Sequence, residues 1–135
     1  NVTQAVIPWL KMRNEGHIIN ITSIAAKEAY PQGNVYCATK AAVDQLTKGM
    51  RMDLLPYGIK VSSIAPGAAE TEFSMVRFKG DESQASAVYQ GFTPLDATDI
   101  AEAVHFIVTR PPHVSIHDLV IMPAAQASAT LFKKD

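Results

Sequence analysis

The chain has 135 residues, 47% hydrophobic and 19% charged, the composition of a soluble globular protein long enough for one domain. Twelve basic against thirteen acidic side chains leave a formal charge of −1, which excludes the clustered basic excess of a nucleic-acid surface. No apolar run reaches the roughly 18–20 residues of a membrane span, and the single cysteine, Cys37, has no partner for an internal disulfide. A reducing, cytoplasmic compartment is expected.

The opening stretch "NVTQAVIPWL" has neither a basic signal-peptide start nor an initiator Met. It reads as the middle of a helix, so the chain is expected to begin inside a longer product. Val2, Val6, Trp9 and Leu10 lie near helical spacing, with Pro8 expected to bend or restart the helix. Gly16 suits the left-handed position after its end. "HIINITS" is a short, β-branched, apolar run, the signature of a strand buried on both faces. A loop with Pro31, Gly33 and Asn34 as breakers follows, and Asn34 is the expected N-cap of the next helix.

That helix is expected from about Val35 to Leu55, with Val43, Leu46, Met50 and Leu54 as its apolar stripe. Ala38, Ala41 and Ala42 keep its early turns slim. Pro56 and Gly58 end it, and "IKVSSIAPG" is a second buried strand. Glu70 to Gln90 is polar, with two short helices expected around Gly80-Asp81. "TPLDATDIAEAVHFIVTR" predicts a strong helix capped by Asp96 or Thr98, with Ile100, Val104, Ile107 and Val108 inward. Pro111-Pro112 stop it, "IHDLVIMP" is a third strand, and the last dozen residues read as a tail with a short, solvated "FKK". Strands alternating with helices imply a parallel sheet with right-handed crossovers, and ligands on such sheets sit beyond the strands' carboxyl ends. Ser23, Pro66-Gly67 and Tyr36 map to that one rim.

Tyr36 and Lys40 are four apart at a helix start, so they share a face. A free tyrosine has a pKa near 10 and is a poor base at neutral pH. A neighbouring ammonium favours the phenolate, and a helix N-terminus pushes the same way. Such a tyrosine exchanges a proton with an alcohol or carbonyl. Ser23, thirteen residues upstream, is positioned to hydrogen-bond the same oxygen. The plainer alternative is a packing tyrosine in a helix that carries Y-x-x-x-K by chance.

"GHIINITS", "YCATK" and "DLLPYGIKVSSIAPGAAET" together resemble the short-chain dehydrogenase/reductase superfamily, over the carboxyl-terminal half of a member. The resemblance implies a Rossmann-type, doubly wound parallel α/β sheet, only the carboxyl-terminal half of which lies in residues 1–135. It implies Tyr36 as general acid/base, Lys40 as the group that tunes it and holds the nicotinamide ribose, and Ser23 as the orienter of the substrate oxygen. Pro66, Gly67, Ala69 and Thr71 would line the nicotinamide. "ETEFSMVRFKGD" and "TPLDATDIAEAVHFIVTRPPHVSIHDLVIMPAAQ" resemble, more narrowly, the NADP-dependent 3-hydroxy acid dehydrogenases, which act on serine and allo-threonine. Arg77 would then pair with the substrate carboxylate; the alternative is a solvated or intersubunit charge. Family members are often dimers or tetramers, so a homo-oligomer is expected.

The glycine-rich turn that cradles the pyrophosphate is missing from the sequence, as are the N-N-A-G stretch and the family's helix asparagine. All belong upstream of Asn1. The choice between NADP and NAD belongs to that half too, so NADP is implied by the subgroup alone. Ser62 stands where the family often has Asn. Residues 1–135 alone are expected to leave the edge of the "HIINITS" strand unpaired, to fold poorly and to turn nothing over. Two other readings stay open: a short-chain reductase of another ketone or 3-oxoacyl compound, and a non-catalytic half-domain that pairs with another chain. His113 and His117 follow two prolines and read as loop histidines; Cys37, Trp9, Met50 and Met52 read as packing or interface residues.

Overall fold

Three parallel strands form one sheet in the order β1-β2-β3 in the computed structural model, which describes residues 1–84 and 86–135. They are β1 (Gly16–Ile21), β2 (Ile59–Pro66) and β3 (Asp118–Ile121). The helices are α1 (Val2–Arg13), α2 (Asn34–Leu54), α3 (Glu72–Arg77), α4 (Glu82–Ala87) and α5 (Ala97–Val108).

The register pairs Ile18 with Val61, Ile21 with Ile64, and Ile64 with Leu119. Side chains alternate across a strand, so β2 feeds both faces. Ile59 and Val61 meet Leu54, Ile7, Leu10, Ile18 and Met50 beneath α1 and α2. Ile64 meets Ala103, Ile107, Ile19 and Leu119 beneath α5. Helices thus cover both faces of the parallel sheet expected from the alternation of elements, the doubly wound, Rossmann-type α/β arrangement that the family resemblance implies. The paired short helices also form: Gly80 takes φ 87° between them, and the Asp81 side chain caps α4.

Several local expectations are corrected. Asn14, not Gly16, takes the left-handed C-cap of α1 at φ 49°. Gly16 instead opens β1, where a Cβ would come within 2.8 Å of Leu10 Cδ2. Pro8 lies inside α1 without ending it. Val2, Val6 and Trp9 are exposed, and only Ile7 and Leu10 of this helix join the core. β1 is half-buried, not sealed on both faces, because its outer edge has no strand partner among the described residues. Gly33, not Asn34, is the N-cap of α2. Asp96 caps α5 through a capping box with Asp99, and the α5 face that turns inward centres on Ala103 and Ile107, leaving Val108 exposed.

The largest difference is in α2. Its buried residues are Cys37, Asp44, Thr47 and Leu54, while Leu46 is 63% exposed. The inward row, spaced by three and four, is mostly polar and fully used. Asn20 Nδ2 donates to Thr47 Oγ1 at 2.8 Å. Arg51 donates to Val61 O at 2.8 Å and to His117 O at 2.7 Å. β3 begins opposite Ser63, so the Val61 carbonyl has no strand beside it, and the guanidinium takes the place of a ladder donor.

Candidate active site

Ser23 lies two residues beyond β1 in extended backbone, where its Oγ accepts from Ala25 N at 3.1 Å and caps a 3-10 turn at Ile24–Ala26. That leaves the hydroxyl proton to donate elsewhere. The chain then folds back through Tyr30, whose ring rests so closely on Gly33 that a Cβ there would collide with it. This contact sets the start of α2 beside the carboxyl end of β1. Tyr36 sits in its first turn, and its ring lies 5.8 Å, centroid to centroid, from Phe73 of α3.

Lys40 follows one turn later. Its Nζ lies 5.8 Å from the Tyr36 ring centroid and donates to Ile21 O at 3.2 Å. Burial without a bonded carboxylate holds the Lys40 ammonium below its ordinary pKa. This places the ammonium on the helix face that carries the phenol, as i and i+4 spacing requires.

At the end of β2, Gly67 N donates to Ile121 O at 2.8 Å and Ala68 N to Gln126 Oε1 at 2.8 Å. Leu95 N donates to Ala68 O at 3.0 Å, and Tyr89 OH to Ala69 O at 2.8 Å. Thr71 Oγ1 accepts from Phe73 N at 3.2 Å and caps α3, which carries Arg77 at its last turn.

All of the candidate site residues from sequence line one cavity of about 400 Å³: Ser23, Tyr36 and Lys40 from the β1–α2 side, Pro66, Gly67, Ala69 and Thr71 from the end of β2 and the loop after it, and Arg77 from α3. Lys40 and Arg77 are its cations, and no Asp or Glu is among the described residues that line it. Such a cavity favours an anionic guest. Arg77 makes no ion pair among the described residues. Tyr30 shares this corner; burial raises its pKa, and the neighbouring Arg77 guanidinium only partly offsets that.

The sequence reading missed Tyr30, Phe73, Tyr89, Gln126 and Phe132, which also line the cavity. The last residues are not a loose tail. Gln126 is 7% exposed, Phe132 packs on Phe92 with centroids 5.0 Å apart, and Ala129 N donates to Glu28 Oε2 at 2.8 Å. Only Lys133 and Lys134 of "FKK" are exposed. No periodicity marks this segment; its breakers and lone Gln were the sole signals. Among the described residues, no helix is long and apolar enough to cross a membrane, and no three His, Cys, Asp or Glu side chains cluster as metal ligands do.

The chain is similar to known proteins in sequence and in fold. A sulfoacetaldehyde reductase of Chromohalobacter salexigens is 48% identical over 128 residues, which are 94% of this chain and 51% of that protein. An NADP-dependent 3-hydroxy acid dehydrogenase of Schizosaccharomyces pombe is 42% identical over 128 residues, 95% of this chain and 49% of that protein. The closed form of a serine dehydrogenase complexed with NADP+ superposes with a TM-score of 0.91 at 46% identity, covering 98% of this chain and 54% of that one. The chain spans about half the length of the curated relatives it matches. The family model for short chain dehydrogenases matches residues 1–82, the stretch that holds β1, the Tyr36–Lys40 turn and the β2 rim. The chain belongs to the short chain dehydrogenase family.

Proposed function

We propose that residues 1–135 are the carboxyl-terminal part of a single Rossmann-fold domain of an oxidoreductase that transfers a hydride between NADP(H) and a small 3-hydroxy acid such as serine or allo-threonine. The observation that carries this reading is one cavity that holds Ser23, Tyr36 and Lys40 together with Arg77, which makes no ion pair among the described residues, and with no carboxylate among its described lining residues. The share of each relative that is covered and the unpartnered edge of β1 among the described residues support the half-domain reading.

The cavity suits the nicotinamide end of the cofactor. Gly67–Ala69 presents backbone with no long side chain, the Thr71 hydroxyl proton has no acceptor among the described residues, and Lys40 offers an ammonium for a ribose hydroxyl. When bound, the nicotinamide accepts or supplies the hydride. NADP is preferred because relatives are named for it or solved with it; NAD is the alternative.

The chain's own residues do the rest. The Tyr36 hydroxyl takes or gives the proton at the substrate oxygen, as a general acid/base does. Ser23 donates its free proton to that oxygen and orients it. Lys40 supplies positive charge beside the phenol where charge changes during the reaction. Arg77 holds the acid group bidentately, and Phe73 and Phe132 add apolar surface to the lining. The complete protein assembles as a homo-oligomer in this reading, a dimer or tetramer, and the exposed apolar Leu46 and Met52 of α2 suit such packing.

In the complete protein, turnover on serine and allo-threonine with NADP+ tests the reading, with Tyr36→Phe as control. Turnover surviving near the unsubstituted level would remove Tyr36 as acid/base, a role worth roughly 10²–10⁴-fold. A second reading, a reductase of another short anionic carbonyl compound, is favoured by the sulfoacetaldehyde reductase among the relatives. Activity on neutral ketones or 3-oxoacyl compounds, with none on short anions, would overturn both.

A further inference from the structure

The Pro66–Thr71 stretch is held by partners later in the chain. Its carbonyls are taken by Leu95 N and Tyr89 OH. Its Ala68 N–H is taken by a side chain, Gln126 Oε1, at 2.8 Å. The other end of the same amide is also fixed: Gln126 Nε2 donates to Ser128 O at 3.0 Å. Both halves of this 7% exposed side chain are therefore satisfied, which defines its orientation, since only the amide oxygen can accept from Ala68.

Gly67 carries the same message. A Cβ there would collide with Gln126 Oε1 and come within 2.8 Å of Met122 Sδ. The backbone at Gly67 and the Gln126 amide are thus packed face to face, and the glycine is needed for the close approach.

We propose that Gln126 is a positioning residue for the cofactor: its amide fixes the plane of the Gly67–Ala68 peptide, the backbone floor on which the nicotinamide end rests. This rests on the dehydrogenase reading above. Without the Gln126 amide, the half-buried Ala68 N–H loses its partner, and the peptide turns to find another. The floor then no longer matches a flat ring.

The test uses the complete protein with Gln126→Met, which keeps the bulk and loses both hydrogen bonds, and Gln126→Ala, which loses both. Two readouts are taken: amide hydrogen exchange at Ala68, Val61 and Ile64, and NADPH affinity by fluorescence titration. Both variants are expected to exchange Ala68 faster with Val61 and Ile64 unchanged, to weaken NADPH binding about ten-fold, and to leave the hydroxy-acid KM within about two-fold at saturating cofactor. Faster Ala68 exchange with unaltered NADPH affinity overturns the proposal. So does a Met variant that binds like the unsubstituted protein while the Ala variant does not, since packing alone would then explain the effect. An unsubstituted protein that binds neither NADPH nor NADH overturns the dehydrogenase reading instead, and the proposal with it.

Discussion

Lys27 and Asp118 meet across 91 residues of sequence: Lys27 Nζ donates to Asp118 Oδ2 at 2.6 Å. The same ammonium donates to Asp44 Oδ1 at 2.7 Å, and Ser63 Oγ donates to the other oxygen of Asp118 at 2.7 Å. One cation thus ties the loop behind Ser23 to α2 and, through β3, to β2.

Lys27→Met is expected to lower stability by about 1–3 kcal/mol, because Asp44 stays buried with Lys48 as its only cation. Urea unfolding of the complete protein measures it. Burial disfavours the Lys27 ammonium, but the two carboxylates outweigh that and hold its pKa above the usual 10.5. Burial likewise opposes the Asp44 carboxylate, and the Lys27 and Lys48 ammoniums outweigh it and hold the pKa below 3.8. The lysine contribution is therefore complete below about pH 10 and fades as pH rises through its folded value. The aspartate contribution is complete above about pH 4 and fades as pH falls through its folded value. The unsubstituted protein and the variant should converge in stability at both extremes.

His17 governs a different window. Ser62 Oγ donates its one proton to Ile116 O, so at 2.7 Å it must accept from His17 Nε2–H. Burial first, then the Lys60 charge, holds the His17 pKa below 6.5. A depressed folded pKa means that the unfolded chain binds more protons, so stability falls as pH drops below about 6.5. His17→Gln keeps a donor and does not titrate. Its unfolding midpoint should change less between pH 7.5 and pH 5.5 than that of the unsubstituted protein.

Arg77→Gln should raise KM for short hydroxy acids about ten-fold or more, through loss of a charged bidentate contact, with kcat changed far less. Steady-state kinetics checks this, and a neutral alcohol of similar size should show no such KM change.

Ile107→Ala should destabilise by about 2–5 kcal/mol, because a side chain 2% exposed against Ile64 leaves a cavity. Leu46→Ala, on the exposed side of α2, should cost the isolated monomer under about 1 kcal/mol. Thermal unfolding of both variants tests this inward and outward assignment.

Those last two positions show where sequence was readable. The α5 stripe at Ile100, Val104, Ile107 and Val108 announced its buried face by apolar periodicity in all but Val108, and the cap was narrowed by its chemistry to Asp96 or Thr98, of which Asp96 serves. The polar inward row of α2 gave no such signal. Asp44, Thr47 and Arg51 look solvated until the Asn20 amide and the free Val61 carbonyl are seen opposite them. Tyr36 and Lys40 were legible because four-residue spacing alone sets them on one face. Gln126 was not, because its partner Ala68 is a backbone amide 58 residues away, and a backbone group leaves no letter in the sequence.

The cavity also has a history in time. Glu28 and Ala129, joined by one hydrogen bond, are separated by 101 residues. A ribosome therefore lays down Tyr36 and Lys40 long before the wall formed by Gln126 and Phe132. A nascent chain stopped short of that wall carries Tyr36 and Lys40 beside an open slot, so the cavity is walled in only once residues 126–132 have been made.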